Sequence, residues 1–137
     1  MQQEHKQARK DLTRLQQSLA VHEASRLLGE AETCGDVRLV IRALEGWDAA
    51  GLRAIATALT AHGRVVTALL SSPPPVAVAV ARSADVVLDA NAVLRTLMAS
   101  FGGRGGGKAD LAQGAGLTGA VTAIAEAAHR AISAALR

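Results

Sequence analysis

The chain has 137 residues, half of them hydrophobic and a fifth charged, with a formal net charge of +3. That length suits one domain with at most a small extension, and its single cysteine, Cys34, excludes an internal disulfide and fits a reducing cytosol. With one Trp, one Phe and no Tyr, the core must be built from Ala, Val, Leu and Ile. A basic balance permits a polyanionic partner without demanding one. The polar start Met1-Gln-Gln-Glu-His-Lys lacks the apolar run of a secretory signal. No stretch approaches the roughly 18 apolar residues of a membrane helix. The expected setting is cytoplasmic, away from membranes.

Residues 3–33 read as one long helix: Pro and Gly are absent until Gly29, and Gln, Glu, Lys, Arg and Leu abound. Leu12, Leu15 and Leu19 follow a 3,4 spacing, but His22 and Arg26 take the next seam positions, so the run is too short for a coiled coil. From Asp36 the pattern changes. Val37, Leu39, Ile41 and Ala43 alternate with Arg38, Val40 and Arg42, the period of a strand with one wetter face. Glu45-Gly46-Trp47 turns the chain, Asp48 is placed to cap a helix, and Leu52, Ile55, Ala56 and Leu59 share one face of it, with Gly63 as its stop.

Val65–Leu70 and Val76–Ala81 are continuous apolar runs, as in strands buried on both faces. Ser71-Ser-Pro-Pro-Pro75 joins them as a stiff loop. Asp85–Asp89 reads as a short strand. Asp89 or Asn91 then caps a helix with Val93, Leu94, Leu97, Met98 and Phe101 on its face, ended by Gly102. Leu111–Gln113 is a short strand or extended segment, and Thr118 opens a last helix with Val121, Ile124, Ala128 and Ile132 inward. The predicted class is α/β (α+β), a small mixed β-sheet flanked by helices and preceded by one long N-terminal helix.

The stretch Phe101-Gly-Gly-Arg-Gly-Gly-Gly-Lys108 stands apart from these elements. Glycines this dense cost backbone entropy and add nothing to a core. They are expected where φ is positive or where another molecule approaches the backbone, and N–H groups beside cations bind anions. Gly102–Lys108 satisfies G-x-x-x-x-G-K, but Ala109 occupies the position whose hydroxyl would hold magnesium, and the segment follows a helix where a P-loop follows a strand. Gly114-Ala-Gly116-Leu-Thr-Gly119 matches G-x-G-x-x-G, yet no strand with an acidic ribose ligand follows. His5, His22, His62 and His129 have no zinc-ligand spacing, and Cys34 has no CxxC partner. Asp85 and Asp89 suit surface or capping roles better than acid–base work. No catalytic constellation is legible.

The run Gly102-Gly-Arg-Gly-Gly-Gly-Lys108-Ala-Asp110-Leu-Ala-Gln113-Gly resembles the glycine-rich signature of the DHH-associated domain, in the version that closes alanyl-tRNA synthetases. The strand–strand–helix arrangement through Val93-Leu-Arg-Thr-Leu resembles that domain too. Ala109 stands where the family commonly has proline, and Ala115 where it has another glycine. Lys108 replaces the histidine of the related DHH phosphoesterases.

The resemblance implies a globular domain over 36–137, preceded by residues 1–35 as the end of a helical arm that helps some members dimerise. It implies a tRNA-binding module, not itself catalytic, that grips the outer corner of an alanine-accepting tRNA. It would thereby support aminoacylation and editing by the parent ligase. The RNA-binding residues it implies are Gly102, Gly103, Arg104, Gly105, Gly106, Gly107, Lys108, Asp110, Gln113, Gly114 and Gly116. No cofactor is expected for this chain; ATP, magnesium and zinc would belong to the parent's other domains. The alternatives are the nucleic-acid-binding lobe of a DHH-type phosphoesterase, or a self-association module. With so few aromatics, recognition would run through phosphates, sugars and shape.

Overall fold

A computed structural model describes residues 18–45, 47, 49–72 and 76–136. The expectations placed on Gly46, on Asp48 as a cap, on the prolines at 73–75 and on a helix before residue 18 lie outside the described residues.

Among the described residues six strands form one sheet in the order β1-β2-β3-β4-β6-β5. The strands are β1 (Glu32–Cys34), β2 (Val37–Glu45), β3 (Val65–Ser72), β4 (Val76–Arg82), β5 (Arg104–Gly107) and β6 (Leu111–Leu117). The helices are α1 (residues 18–29), α2 (Ala49–Thr60), α3 (Ala90–Phe101) and α4 (Val121–Leu136). Only β2 and β3 pair in parallel, and α2 makes the crossover between them; the other pairs are antiparallel. The result is the mixed α+β class that the sequence predicts.

Alternate residues of the central strands go to opposite faces. Val66, Ala68, Leu70, Val78 and Val80 pack with Leu94 and Leu97 of α3 and Ile124, Ala128 and Ile132 of α4. Val65, Leu69, Ala79 and Ala81 pack with Leu52, Ile55, Ala56 and Leu59 of α2 and Ala20, Ala24 and Leu27 of α1. Two helical layers therefore enclose the sheet. Leu52, Ile55, Leu59, Leu94 and Leu97 are fully buried, each worth about 1.5–3 kcal/mol relative to exposure. Polar groups that enter this core are matched. Thr67 Oγ1 donates to the Val40 carbonyl at 2.7 Å, and Ser83 Oγ donates to the His62 carbonyl while accepting the Val65 N–H.

Several local expectations are corrected. The first helix ends at residue 29, and Glu32–Cys34 is captured as a strand by β2, across the turn that Gly35 permits with φ 63°. Cross-strand pairing overrides the helix propensity of that segment. The buried stripe of α1 is Ala20, Ala24 and Leu27, whereas Leu19, His22 and Arg26 of the leucine seam face solvent.

On β2 the face expected to be wetter buries Val40 and Leu44, because α1 and α2 cover it. Gly63 does not stop α2. The helix ends at Thr60, and the left-handed residue is Arg64, with φ 62°. Its N–H donates to Asp85 Oδ1 at 2.9 Å and its guanidinium to Asp36 at 2.8 Å. Asp85–Asp89 is consequently a loop, with Asp85 bound to Arg64 and the Asp89 carboxylate capping α3 through the Asn91 and Ala92 N–H groups. Thr118 does not open α4; its N–H and Oγ1 both donate to the Phe101 carbonyl, and the helix begins at Val121.

Candidate nucleic-acid interface

The glycine stretch is a hairpin. Gly102 ends α3 with φ 79°, its N–H donating to the Met98 carbonyl at 2.8 Å. The chain then enters β5, the edge strand, which pairs with β6 through Arg104↔Ala115, Gly105↔Gly114, Gly106↔Gln113 and Gly107↔Ala112. The expected loop is thus corrected to an edge strand, whose outer side still presents N–H groups that β6 does not pair. The expected short strand Leu111–Gln113 extends to Leu117. Backbone pairing between two strands, invisible to a pattern of side chains, is what orders the glycines. At the tip, the Lys108 N–H donates to the Leu111 carbonyl at 2.9 Å. The Ala109 carbonyl accepts from Ala90 and the Asp110 carbonyl from Arg82, so the tip is tied to α3 and β4. Lys108 is followed by a turn and a strand, which removes the P-loop geometry as well as its motif.

The two faces of this hairpin differ. Gly114 points at α3, where a Cβ would lie 3.0 Å from Leu94 Cδ1. Gly105 and Gly107 pair on that same face, and a Cβ on either would collide with β6 backbone, at Gln113 and Gly114 for the first and at Leu111 and Ala112 for the second. Gly103, with φ 94°, would place a Cβ 2.6 Å from the Ala115 carbonyl oxygen. Gly116 takes a positive φ of 77°. These glycines answer to the fold. Arg104, Gly106, Gln113 and Ala115 occupy the other face, the side of α2, which α2 leaves open at this end of the sheet.

Gly106, Gly107, Lys108, Asp110, Leu111 and Gln113 line a cleft of about 310 Å³ together with Arg53 of α2. Gln113 fixes its wall by donating Nε2 to the Ala49 carbonyl at 2.8 Å. Of the residues expected to bind RNA, the fold therefore gathers Gly106, Gly107, Lys108, Asp110 and Gln113. Arg104 sits on the same face beyond the cleft lining. Gly102, Gly103 and Gly116 lie at the far end of the hairpin, and Gly114 is buried against α3. Arg53 is the residue that sequence reasoning missed. Fifty-five positions separate it from Lys108, and its only linear signal is being a cation on the solvent side of a helix.

At the β1–β2 end, Arg26 pairs with Glu23 and Glu30, Arg42 with Glu30 at 3.6 Å, and Arg64 with Asp36. The Arg26 hydrogen bond holds the Glu23 carboxyl below its ordinary value. A second cleft at that end, of about 230 Å³, carries Glu30, Glu32 and Glu126 beside Arg42 and His129, the wrong sign for a polyanion. Around the hairpin, Arg53, Arg104 and Lys108 are exposed and have no ion-pair partner among the described residues. Among the described residues no three His, Cys, Asp or Glu side chains come together to hold a metal ion, and no helix is long and apolar enough to cross a membrane.

Comparison with known proteins places the chain in a family. Residues 36–134 match the family model described as the DHHA1 domain. The chain belongs to the DHHA1 family. Among curated relatives of this DHHA1 chain, the alanine–tRNA ligase of Thermus thermophilus is 41% identical over 86 residues, which is 63% of this chain and 10% of that protein. The alanine–tRNA ligase of Mycolicibacterium gilvum is 39% identical over 135 residues, 90% of this chain and 15% of that protein. The chain thus spans about a tenth to a seventh of those ligases' length. Among solved structures, the C-Ala domain of Aquifex aeolicus alanyl-tRNA synthetase superposes with a TM-score of 0.66 at 25% identity, covering 77% of this chain and 96% of that one.

Proposed function

We propose that this DHHA1 domain is the tRNA-binding C-terminal module of an alanine–tRNA ligase, holding the outer corner of an alanine-accepting tRNA through the β5–β6 hairpin. The observation that carries this reading is a strand-paired hairpin presenting Arg104 and Lys108, both exposed and without ion-pair partners among the described residues. Its relatives are alanine–tRNA ligases, which is where such a module would serve. A cation left unpaired on a surface is available to a phosphate, and phosphate contacts fix register on a folded RNA without reading bases. With one Trp and one Phe in the chain, stacking contributes little and charge and shape contribute most.

On this reading the chain has no catalytic role of its own, and the chemistry with ATP, magnesium and zinc belongs to the parent's other domains. The module brings one tRNA to both the aminoacylation and the editing centres, in the cytoplasm. Leu19 and Val21, exposed on α1, mark the surface on which a second copy would pair, as the expected homodimer requires. The test is a mobility-shift titration of an unmodified alanine-accepting tRNA transcript with the 137-residue chain. Arg104→Ala combined with Lys108→Ala should weaken binding by at least about tenfold, the loss of one or two charge-assisted contacts. Binding at the wild-type midpoint would reject the hairpin as the site.

A further inference from the structure

Of the β5 glycines, only Gly106 has room for a Cβ. Its φ is not positive, and nothing lies within 4 Å of where a Cβ would stand. Its neighbours Gly105 and Gly107 cannot carry a side chain without striking β6. The space a Cβ would fill at Gly106 is therefore open to a molecule outside the fold. Gly106 lines the same cleft as Arg53 of α2 and Lys108 of the hairpin tip.

We infer that Arg53 and Lys108 form a clamp across this cleft for the phosphate backbone of a bound RNA, with the Gly106 backbone as its floor. The inference rests on the proposed RNA-binding reading and adds to it a side of approach, a residue from a second element and a role for one glycine. A phosphate over Gly106 meets cations from α2 and from the hairpin tip at once, which neither element supplies alone. A planar guanidinium can grip two phosphate oxygens together, and a small floor lets the sugar–phosphate chain lie close enough for that grip. Gln113 keeps the walls in register, because its bond to the Ala49 carbonyl ties β6 to the start of α2. The RNA therefore passes over the α2 side of the hairpin, and α3 with its exposed Arg95 stays clear of it.

The experiment compares Arg53→Ala, Gly106→Val and Arg95→Ala with the unaltered chain, by tRNA titration over a range of salt, with thermal melts in parallel. Arg53→Ala should weaken binding about tenfold and lower the slope of log affinity against log salt by about one. Gly106→Val should weaken binding several-fold with the slope unchanged, since it blocks the floor without removing charge. Arg95→Ala should bind as the unaltered chain does. Wild-type affinity in Arg53→Ala or in Gly106→Val overturns the clamp. If the Arg104, Lys108 pair still loses affinity in that case, RNA binding by the hairpin stands and only the side of approach fails. If that pair also binds unaltered, the underlying reading fails with it.

Discussion

The two faces of the β5–β6 hairpin are made from the same residue type for opposite reasons. On the α3 side, Gly105, Gly107 and Gly114 lack side chains because β6 backbone and Leu94 already occupy the space. On the α2 side, Gly106 lacks one although the space is open, and Arg53 and Lys108 line the same cleft without ion-pair partners among the described residues. A glycine-rich run is therefore not one signal. Where the fold fills the vacancy, glycine is a packing residue; where the vacancy is left open beside cations, the proposed reading gives it to a ligand.

The largest effect should come from breaking the packed side. Gly105→Ala or Gly107→Ala forces a methyl into strand backbone that has no flexible atom to give way, so either should cost about 3 kcal/mol or more. For a domain of this size that is a fall in melting temperature of ten degrees or so, read by calorimetry. The open side should respond in binding and hardly in stability, as the Arg53 and Gly106 variants test.

Asp110 sharpens the contrast, because it brings the one carboxylate into the cationic cleft. Its backbone carbonyl holds the Arg82 N–H at 3.0 Å, which Asn would preserve, while its charge repels a phosphate. Asp110→Asn should accordingly tighten tRNA binding about two- to three-fold at low salt, an advantage that fades as salt rises.

The smallest effect lies at the far end of the sheet. The Glu23 carboxyl is lowered, first by its hydrogen bond from Arg26. A depressed carboxyl stabilises the fold above its unfolded pKa and loses that contribution as pH falls through the folded one. Glu23→Gln should therefore lower the melting temperature by no more than about a degree at neutral pH, with the difference vanishing in acid, as expected for an exposed pair.

How much of this could be read from the sequence depended on which force set each element. The continuous apolar runs of β3 and β4 and the spaced apolar faces of α2 and α3 are burial patterns, and they survived into the fold with their residues. Asp89 was legible because capping is local. The strands β1 and β5 were not legible, since partners in the sheet created them against local preference; a run of three glycines reads as a loop until β6 is seen beside it. Lys108 and Arg104 are candidates that their glycine neighbours single out in the sequence. Arg53 was missed because only the α2 crossover carries it to the hairpin, and no linear spacing encodes that approach.

The central claim is that the open face of the hairpin binds RNA through phosphates. It is tested most directly by the salt dependence of tRNA affinity in the unaltered chain and in the Arg104→Ala, Lys108→Ala pair. If both cations meet phosphates, the log–log slope should drop by nearly two units, with the loss of affinity greatest at low salt. An unchanged slope and affinity in the pair would contradict the claim.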